Sequence, residues 1–275
     1  RDLHLSLRRK RQMCIRDSEI GGTVGDIEGL PFLEAIRQMR LDYGKENVLY
    51  IHLTLVPFIK SSGEFKTKPT QHSVNELRRI GIQPDFIIAR SQFLLPEAVR
   101  NKISLFCNVA KENVVSLPDV NTIYSVPIIF QKEKLDKKIL NSLKLKPRST
   151  GNKLMAKWME FVKRIIESKD SIKIGIIGKY VNVIDSYQSI VQALIHAGAA
   201  FNTYIDIKWI ESDTLTLDNC IQKLKDVYGI LVPGGFGVRG IEGKINAIRY
   251  AREKNIPFFG ICSVSYTHLT LPTKA

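Results

Sequence analysis

The sequence predicts an α/β protein of two domains, each a mostly parallel sheet flanked by helices. Three observations carry that prediction. Short apolar runs recur along the chain with amphipathic, helix-length segments between them. The runs are apolar at nearly every position, the pattern of strands covered on both faces. The alternation lapses once, between roughly residues 131 and 171, where Lys-rich sequence with Pro147 and Gly151 separates two such series.

In chain order, strands are predicted at Val48 to Val56, Phe86 to Arg90, Val114 to Leu117, Ile172 to Gly178, Thr203 to Ile210, Tyr228 to Pro233 and Ile256 to Cys262. Helices are predicted at Leu33 to Tyr43, Gln71 to Ile80, Glu97 to Cys107, Tyr187 to His196 and Gly240 to Lys254. In the helix from Tyr187, Ile190, Val191, Leu194 and Ile195 recur at helical spacing, and Gly198 reads as its stop. A further helix carrying Trp158, Phe161 and Ile165 falls in the gap between the two series. The expected division is therefore a non-native-looking leader over residues 1–17, a first domain over 18–147, a linker with its helix over 148–171 and a second domain over 172–263. A tail over 264–275 also looks foreign, because Thr267, Thr270, Pro272 and Thr273 follow where a helix is due.

Composition narrows the function classes. With 44% hydrophobic and 8% aromatic residues the chain can bury a substantial core, and it lacks the composition of disorder. Its longest apolar runs, such as Gly229 to Pro233 and Ile256 to Cys262, fall far short of the ~20 residues that span a bilayer, so no membrane partner is expected. The net charge of +14 is concentrated: residues 1 to 17 carry +4 and residues 131 to 170 carry +7. A charge gathered in a leader and a linker reads as solvated surface, and no nucleic-acid partner is expected. Cys14, Cys107, Cys220 and Cys262 show neither a CxxC pair nor a disulfide-like spacing, which points to a reducing, cytoplasmic setting.

Two stretches carry chemistry in the first domain. Glu19-Ile20-Gly21-Gly22-Thr23-Val24-Gly25-Asp26-Ile27-Glu28 sets three glycines in a loop and acids at a helix entrance. Carboxylates without a lysine suit a divalent metal or the hydroxyl and amino groups of a nucleoside; equally, Asp26 and Glu28 favour a helix N-terminus electrostatically. Ser61-Ser62-Gly63-Glu64-Phe65-Lys66-Thr67-Lys68-Pro69-Thr70-Gln71 brings two lysines and hydroxyls to the start of a helix, an anion site suited to a triphosphate, or else a solvated, capped loop.

In the second domain, Ile256-Pro257-Phe258-Phe259-Gly260-Ile261-Cys262 is an apolar strand ending in a cysteine, placed as a nucleophile on a tight turn would be, or as a small buried hydrophobe. Leu231-Val232-Pro233-Gly234-Gly235-Phe236-Gly237-Val238-Arg239-Gly240 ends the strand before it in a glycine loop whose N–H groups can serve an oxyanion.

These residues carry a resemblance. Glu19 to Glu28, continuing through Leu30-Pro31-Phe32-Leu33-Glu34-Ala35-Ile36-Arg37-Gln38, resembles the signature of CTP synthases. Lys66 to Ser73 is a second match, and Phe106 to Val120 with Ile123-Tyr124 a third. The pairing of Pro233-Gly234-Gly235-Phe236-Gly237 with Gly260-Ile261-Cys262 resembles class I glutamine amidotransferases, in the wording of CTP synthase; Gly178-Lys179-Tyr180 and Asp185-Ser186-Tyr187 with Ser189 match the start of that domain. The resemblance runs from about Glu19 to Cys262.

It implies a P-loop-type amidoligase part over 18–147 and a flavodoxin-like class I amidotransferase part over 172–263. The implied reaction is ATP-dependent amination of UTP to CTP with ammonia from glutamine. Glu19 would be a Mg2+ ligand; Asp26, Ile27 and Glu28 would contact CTP as feedback inhibitor. Lys66, Thr67, Lys68, Pro69, Thr70, Gln71 and Lys102 would line the UTP and CTP pocket, and Asp119 and Val120 the ATP adenine. Gly235 would bind glutamine and Cys262 would form the glutamyl thioester. The resemblance further implies a homotetramer with GTP as allosteric activator. The family's Gly-rich phosphate loop precedes Glu19 in full members, and its catalytic His and Glu lie well beyond Cys262, so this polypeptide alone is expected to make no CTP. His268 is not assigned as the base. The competing readings are a free-standing class I amidotransferase and a non-catalytic nucleotide-binding or filament-forming relative.

Overall fold

The computed structural model describes residues 16–146, 151–235 and 237–262. Most of the leader, Phe236, and the tail with His268 lie outside the described residues. The chain forms two compact units, residues 1–151 and 152–275.

In the first unit, α1 (Leu30–Tyr43) leads to β1 (Ile51–Leu55), then a short hairpin of β2 (Phe58–Ile59) and β3 (Glu64–Phe65). There follow α2 (Lys68–Ile80), β4 (Phe86–Ser91), α3 (Glu97–Cys107), β5 (Val114–Pro118), α4 (Val126–Lys132) and α5 (Leu135–Ser142). The sheet is parallel in the order β1-β4-β5, with Ile51 beside Phe86 and Ile87 beside Val114. Successive residues of β4 enter opposite cores. Ile87 and Ala89 pack with Val74, Ile103 and Cys107 from α2 and α3, while Phe86 and Ile88 pack with Leu135 and, from α4, Ile129 and Phe130. This two-sided burial is why the strand reads as a continuous apolar run, each fully buried large side chain contributing roughly 1.5–3 kcal/mol. β1 borders the sheet. Its Ile51, Leu53 and Leu55, on the face that α4 and α5 cover over β4 and β5, stay 43%, 57% and 57% exposed.

In the second unit, α6 (Gly151–Glu167) precedes β6 (Asp170–Gly178), α7 (Gln188–Ala200), β7 (Thr203–Glu211), α8 (Leu217–Leu224), β8 (Gly229–Val232), α9 (Ile241–Glu253) and β9 (Phe258–Gly260). The sheet is parallel in the order β7-β6-β8-β9. One core joins Ile177, Ile230 and Val232 to Leu224 of α8 and to Ala247, Ile248 and Ala251 of α9.

Both sheets and every predicted strand are present: β1, β8 and β9 are shorter than predicted by one to three residues at each end, and β4, β5, β6 and β7 are longer by one or two residues at one end. Gly198 is a correction: it does not stop α7, which continues to Ala200. A Cβ there would lie 2.4 Å from the Thr203 carbonyl oxygen, so glycine is required for close approach of the returning strand. Within the Lys-rich stretch from residue 131, Leu135 and Ile139 of α5 reach the first core.

Candidate functional sites

In a parallel α/β sheet, ligands gather beyond the carboxyl ends of the strands. In the first unit, two of the nominated groups lie there. β1 runs into the β2–β3 hairpin and so to Lys66–Gln71; β5 runs into Asp119 and Val120, with the Asp119 amide donating to the Ser91 carbonyl at 2.9 Å. Lys66, Lys68, Pro69, Lys102 and Asp119 are exposed, whereas Thr67, Thr70 and Gln71 are buried.

The buried three already have partners. Gln71 Nε2 donates to Thr67 Oγ1 at 3.0 Å, and Thr70 Oγ1 donates to the Leu55 carbonyl at 3.2 Å. They tie the start of α2 to the end of β1, so this segment offers solvent its two lysines rather than its hydroxyls. Lys66 pairs with Glu64 at 2.6 Å; that bond, and more weakly the nearby Lys102, holds the Glu64 carboxyl below its usual range. Lys66 and Lys102 are thereby gathered around one hairpin, as an incoming polyphosphate requires.

The acidic loop is built differently. Gly22 and Gly25 take φ of 86° and 105°, and the turn closes when the Thr23 amide donates to Asp26 Oδ2 at 2.8 Å. A 3₁₀ turn, Ile27–Gly29, then enters α1, leaving Ile27 83% exposed. Ile20 and Val24 anchor the loop on the core beside Leu77 and Ile82. Glu19 is an exposed carboxylate; among the described residues no three His, Cys, Asp or Glu side chains form a metal-ligand cluster. One carboxylate is nonetheless compatible with Mg2+, which takes one or two carboxylates alongside phosphates and water. Among the described residues, no hydrogen bond or ion pair joins this loop to Lys66–Gln71 or Lys102. The ≈390 Å³ cavity lined by Arg40, Lys45, Asp85 and Asn113 lies at the opposite, amino-terminal edge of the sheet and contains no nominated residue.

In the second unit the nominated pieces do meet. Ile230 donates to the Pro257 carbonyl at 2.9 Å and Ile261 to the Val232 carbonyl at 3.0 Å, so β8 and β9 end side by side. Cys262, just past β9, is exposed and holds a φ of 71°. Left-handed backbone is strained for a non-glycine residue and is typical of a side chain held out on a tight turn. A Cβ on Gly234 would lie 3.0 Å from Cys262 Cβ, so the glycine loop presses against the thiol-bearing residue. Gly235 instead lies against Lys179 and Lys244, its virtual Cβ 3.5 Å from Lys179 Cδ and 3.6 Å from Lys244 Nζ.

A surrounding frame fixes this loop. The Tyr187 hydroxyl accepts from the Lys179 and Tyr180 amides at 3.1 and 3.2 Å, clamping the turn after β6. Lys179 Nζ donates to the Gly237 carbonyl at 2.5 Å; Arg239 donates to the Lys179 carbonyl at 2.8 Å and pairs with Asp213 at 3.4 Å.

The cysteines now differ sharply. Burial pushes the Cys107 thiol up to about 11 and also raises that of Cys220, while Cys262 is open to solvent. At neutral pH about one Cys107 in 10⁴ is thiolate. Iodoacetamide on the native chain is expected to modify Cys262 and to reach Cys107 and Cys220 only after unfolding, read by peptide mass spectrometry. Equal rates at Cys107 and Cys262 would contradict this placement.

Comparison with known proteins bears on both units. A family model described as CTP synthase N-terminus matches residues 4–145, just over half of the chain. The chain belongs to the CTP synthase family. A second model, glutamine amidotransferase class-I, matches residues 182–263, from the turn before α7 to the residue after Cys262. The CTP synthase of Geobacillus kaustophilus is 54% identical over 245 residues, covering 89% of this chain and 46% of that protein. The CTP synthase of Methanococcus maripaludis is 54% identical over 250 residues, with the same coverages. This chain thus spans about half the length of the CTP synthases it matches. A solved structure, the Trypanosoma brucei CTPS glutaminase domain with bound acivicin, is 35% identical, covering 37% of this chain and 41% of that one, with a TM-score of 0.34. By the two family models, the fold is that of an N-terminal CTP synthase domain and a class I amidotransferase domain, both α/β.

Sequence reading of this CTP synthase segment overlooked two residues at the thiol. Gly234, rather than Gly235, makes the close approach to Cys262. Lys244, which the sequence reading did not single out, is 3% exposed. Its signal was available: Lys244 shares a helical face with Ala247, Ile248 and Ala251, an apolar stripe on which a lysine is out of place.

Proposed function

We propose that this chain is the central segment of a glutamine-hydrolysing CTP synthase, a ligase forming a C–N bond. The observation that carries this reading is Cys262 held at positive φ against Gly234, at the paired ends of β8 and β9.

The Cys262 thiolate attacks the carboxamide carbon of glutamine; the tetrahedral oxyanion is met by backbone N–H groups around Gly235, and collapse, once the amide nitrogen has taken a proton from water, expels ammonia and leaves a thioester, which water hydrolyses to glutamate with return of the thiol. In the first domain ATP phosphorylates the C4 oxygen of UTP, ammonia adds at C4, and phosphate leaves to give CTP. Lys66 and Lys68, with Lys102, attract the triphosphate, and Thr67, Pro69, Thr70 and Gln71 shape the floor beneath it. Asp26, Ile27 and Glu28 contact CTP as feedback inhibitor, and Asp119 and Val120 the adenine of ATP. Glu19 would hold Mg2+, which would offset phosphate charge when bound. The homotetramer and activation by GTP rest on the family resemblance, and the cytoplasmic setting on the cysteine pattern; no helix among the described residues is long and apolar enough to cross a membrane.

The full-length protein carrying this segment is expected to form CTP from UTP, ATP, Mg2+ and glutamine, followed by the absorbance change from UTP to CTP. The 275-residue chain alone is expected to form none. Failure of the full-length protein would overturn the assigned reaction, and steady turnover by the chain alone would overturn its incompleteness.

A further inference from the structure

We propose that Lys244 is a positioning residue for glutamine hydrolysis: its buried ammonium holds the Pro233–Gly235 bend in the orientation that presents backbone N–H groups to the oxyanion formed at Cys262. The proposal rests on the reading of Cys262 as the glutamine nucleophile.

Burying an ammonium is costly unless something nearby uses its charge and its hydrogen bonds. Lys244 stands in the first turn of α9 and is 3% exposed, and no ion pair to it is present among the described residues. Its Nζ donates to the Pro233 carbonyl at 3.2 Å. A trans peptide points its C=O and the following N–H in opposite directions, so fixing the Pro233 oxygen on Lys244 fixes the Gly234 N–H facing away from the lysine. The same Nζ lies 3.6 Å from where a Gly235 Cβ would be, so it also backs the next residue of the bend. Gly234 in turn abuts Cys262. The chain of contact runs from α9 through one carbonyl to the nucleophile.

Among the described residues two titratable groups face Lys244. Burial is the largest influence and pushes the amine below the ordinary lysine range; Lys179, just past β6, also disfavours its charge, and Cys262, beyond β9, favours it. Arg239 and Asp213 pair with each other and meet this frame through the Lys179 carbonyl. Glycines at a strand end are flexible, and a bend without an anchor spends less time in the one productive geometry.

The test uses glutamine hydrolysis by the full-length protein carrying this segment. Lys244→Met keeps the side-chain volume but removes the donor. It is expected to lower kcat about tenfold or more with KM changed less than about twofold, the signature of an interaction needed only in the transition state. Lys244→Gln, which keeps an N–H donor without charge, is expected to recover most of the loss. Alkylation of Cys262 by iodoacetamide, in which the thiolate displaces iodide and no oxyanion forms, is expected in Lys244→Met to reach near the parent rate once the pH is high enough to ionise the thiol in both proteins. Parent-like kcat in Lys244→Met would overturn the proposal, as would a limiting high-pH alkylation rate that falls in step with kcat, since that means general disruption of the turn. Should Lys244→Met not fold by near-UV circular dichroism, Lys244→Gln decides alone, and a tenfold loss of kcat despite its retained donor overturns the proposal. Failure of the underlying reading looks different: Cys262→Ser would then still hydrolyse glutamine.

Discussion

Cys262→Ser in the full-length protein is expected to lower glutamine-driven CTP formation by about 10³-fold or more, while CTP formation from added ammonia persists. The loss follows from the weakness of a serine hydroxyl as a nucleophile on a turn built for a thiolate. The persistence follows from the division of labour: a reaction whose amidotransferase part only releases ammonia can be fed ammonia directly. Position makes the effect large. Cys262 takes a left-handed φ of 71°, strained for a non-glycine residue, and packs so closely on Gly234 that a Cβ there would lie 3.0 Å from its own Cβ. Glutamine-driven activity within tenfold of the parent, measured side by side with the ammonia-driven rate, would remove Cys262 from the chemistry.

Gly243→Ala is expected to destabilise the second unit by about 3 kcal/mol or more, the upper part of the range for overpacking. A Cβ at this position would lie 1.7 Å from the Ser212 carbonyl oxygen and 2.8 Å from its carbon, with the Leu215 oxygen at 3.2 Å. These are backbone atoms of the 3₁₀ turn after β7 and of the residue that follows it, and they cannot rotate aside as a side chain would. Helix α9 must therefore shift, carrying Lys244 and the end of the glycine loop at Gly240 with it. Gly29→Ala makes the same chemical change where nothing lies within 4 Å and should be nearly neutral. Urea unfolding of the two variants decides the matter, and equal midpoints would show that α9 yields more easily than its contacts indicate.

How far the structure was legible in the sequence depended on where the signal lay. Helix α3 reads correctly at both ends because Pro96 precedes it and Asn108, at φ 51°, can take the left-handed cap. The β2–β3 hairpin escaped, since two-residue strands carry no period. Helix α8 escaped too, although Thr216 and Asn219 form a capping box at its start. Gly198 misled because a glycine near a helix end usually means a cap; the Thr203 carbonyl that requires it comes from the next strand, which local sequence cannot reveal. At the site, a cysteine after an apolar run was visible, as was the glycine loop. That Gly234 rather than Gly235 presses on the thiol, and that Lys244 backs the bend, are facts of tertiary packing.

The exposed aliphatic face of β1 has a practical consequence for anyone purifying the segment. Among the described residues no strand pairs with the outer edge of β1, and such a rim beside Ile51, Leu53 and Leu55 is a template onto which another extended chain can add, with a pull that is apolar and short in range. The positive charge that would keep molecules apart acts over only about 10 Å in 0.1 M salt. Clarity of a concentrated solution is thus governed by that adhesive border, and adding salt makes the solution cloud sooner.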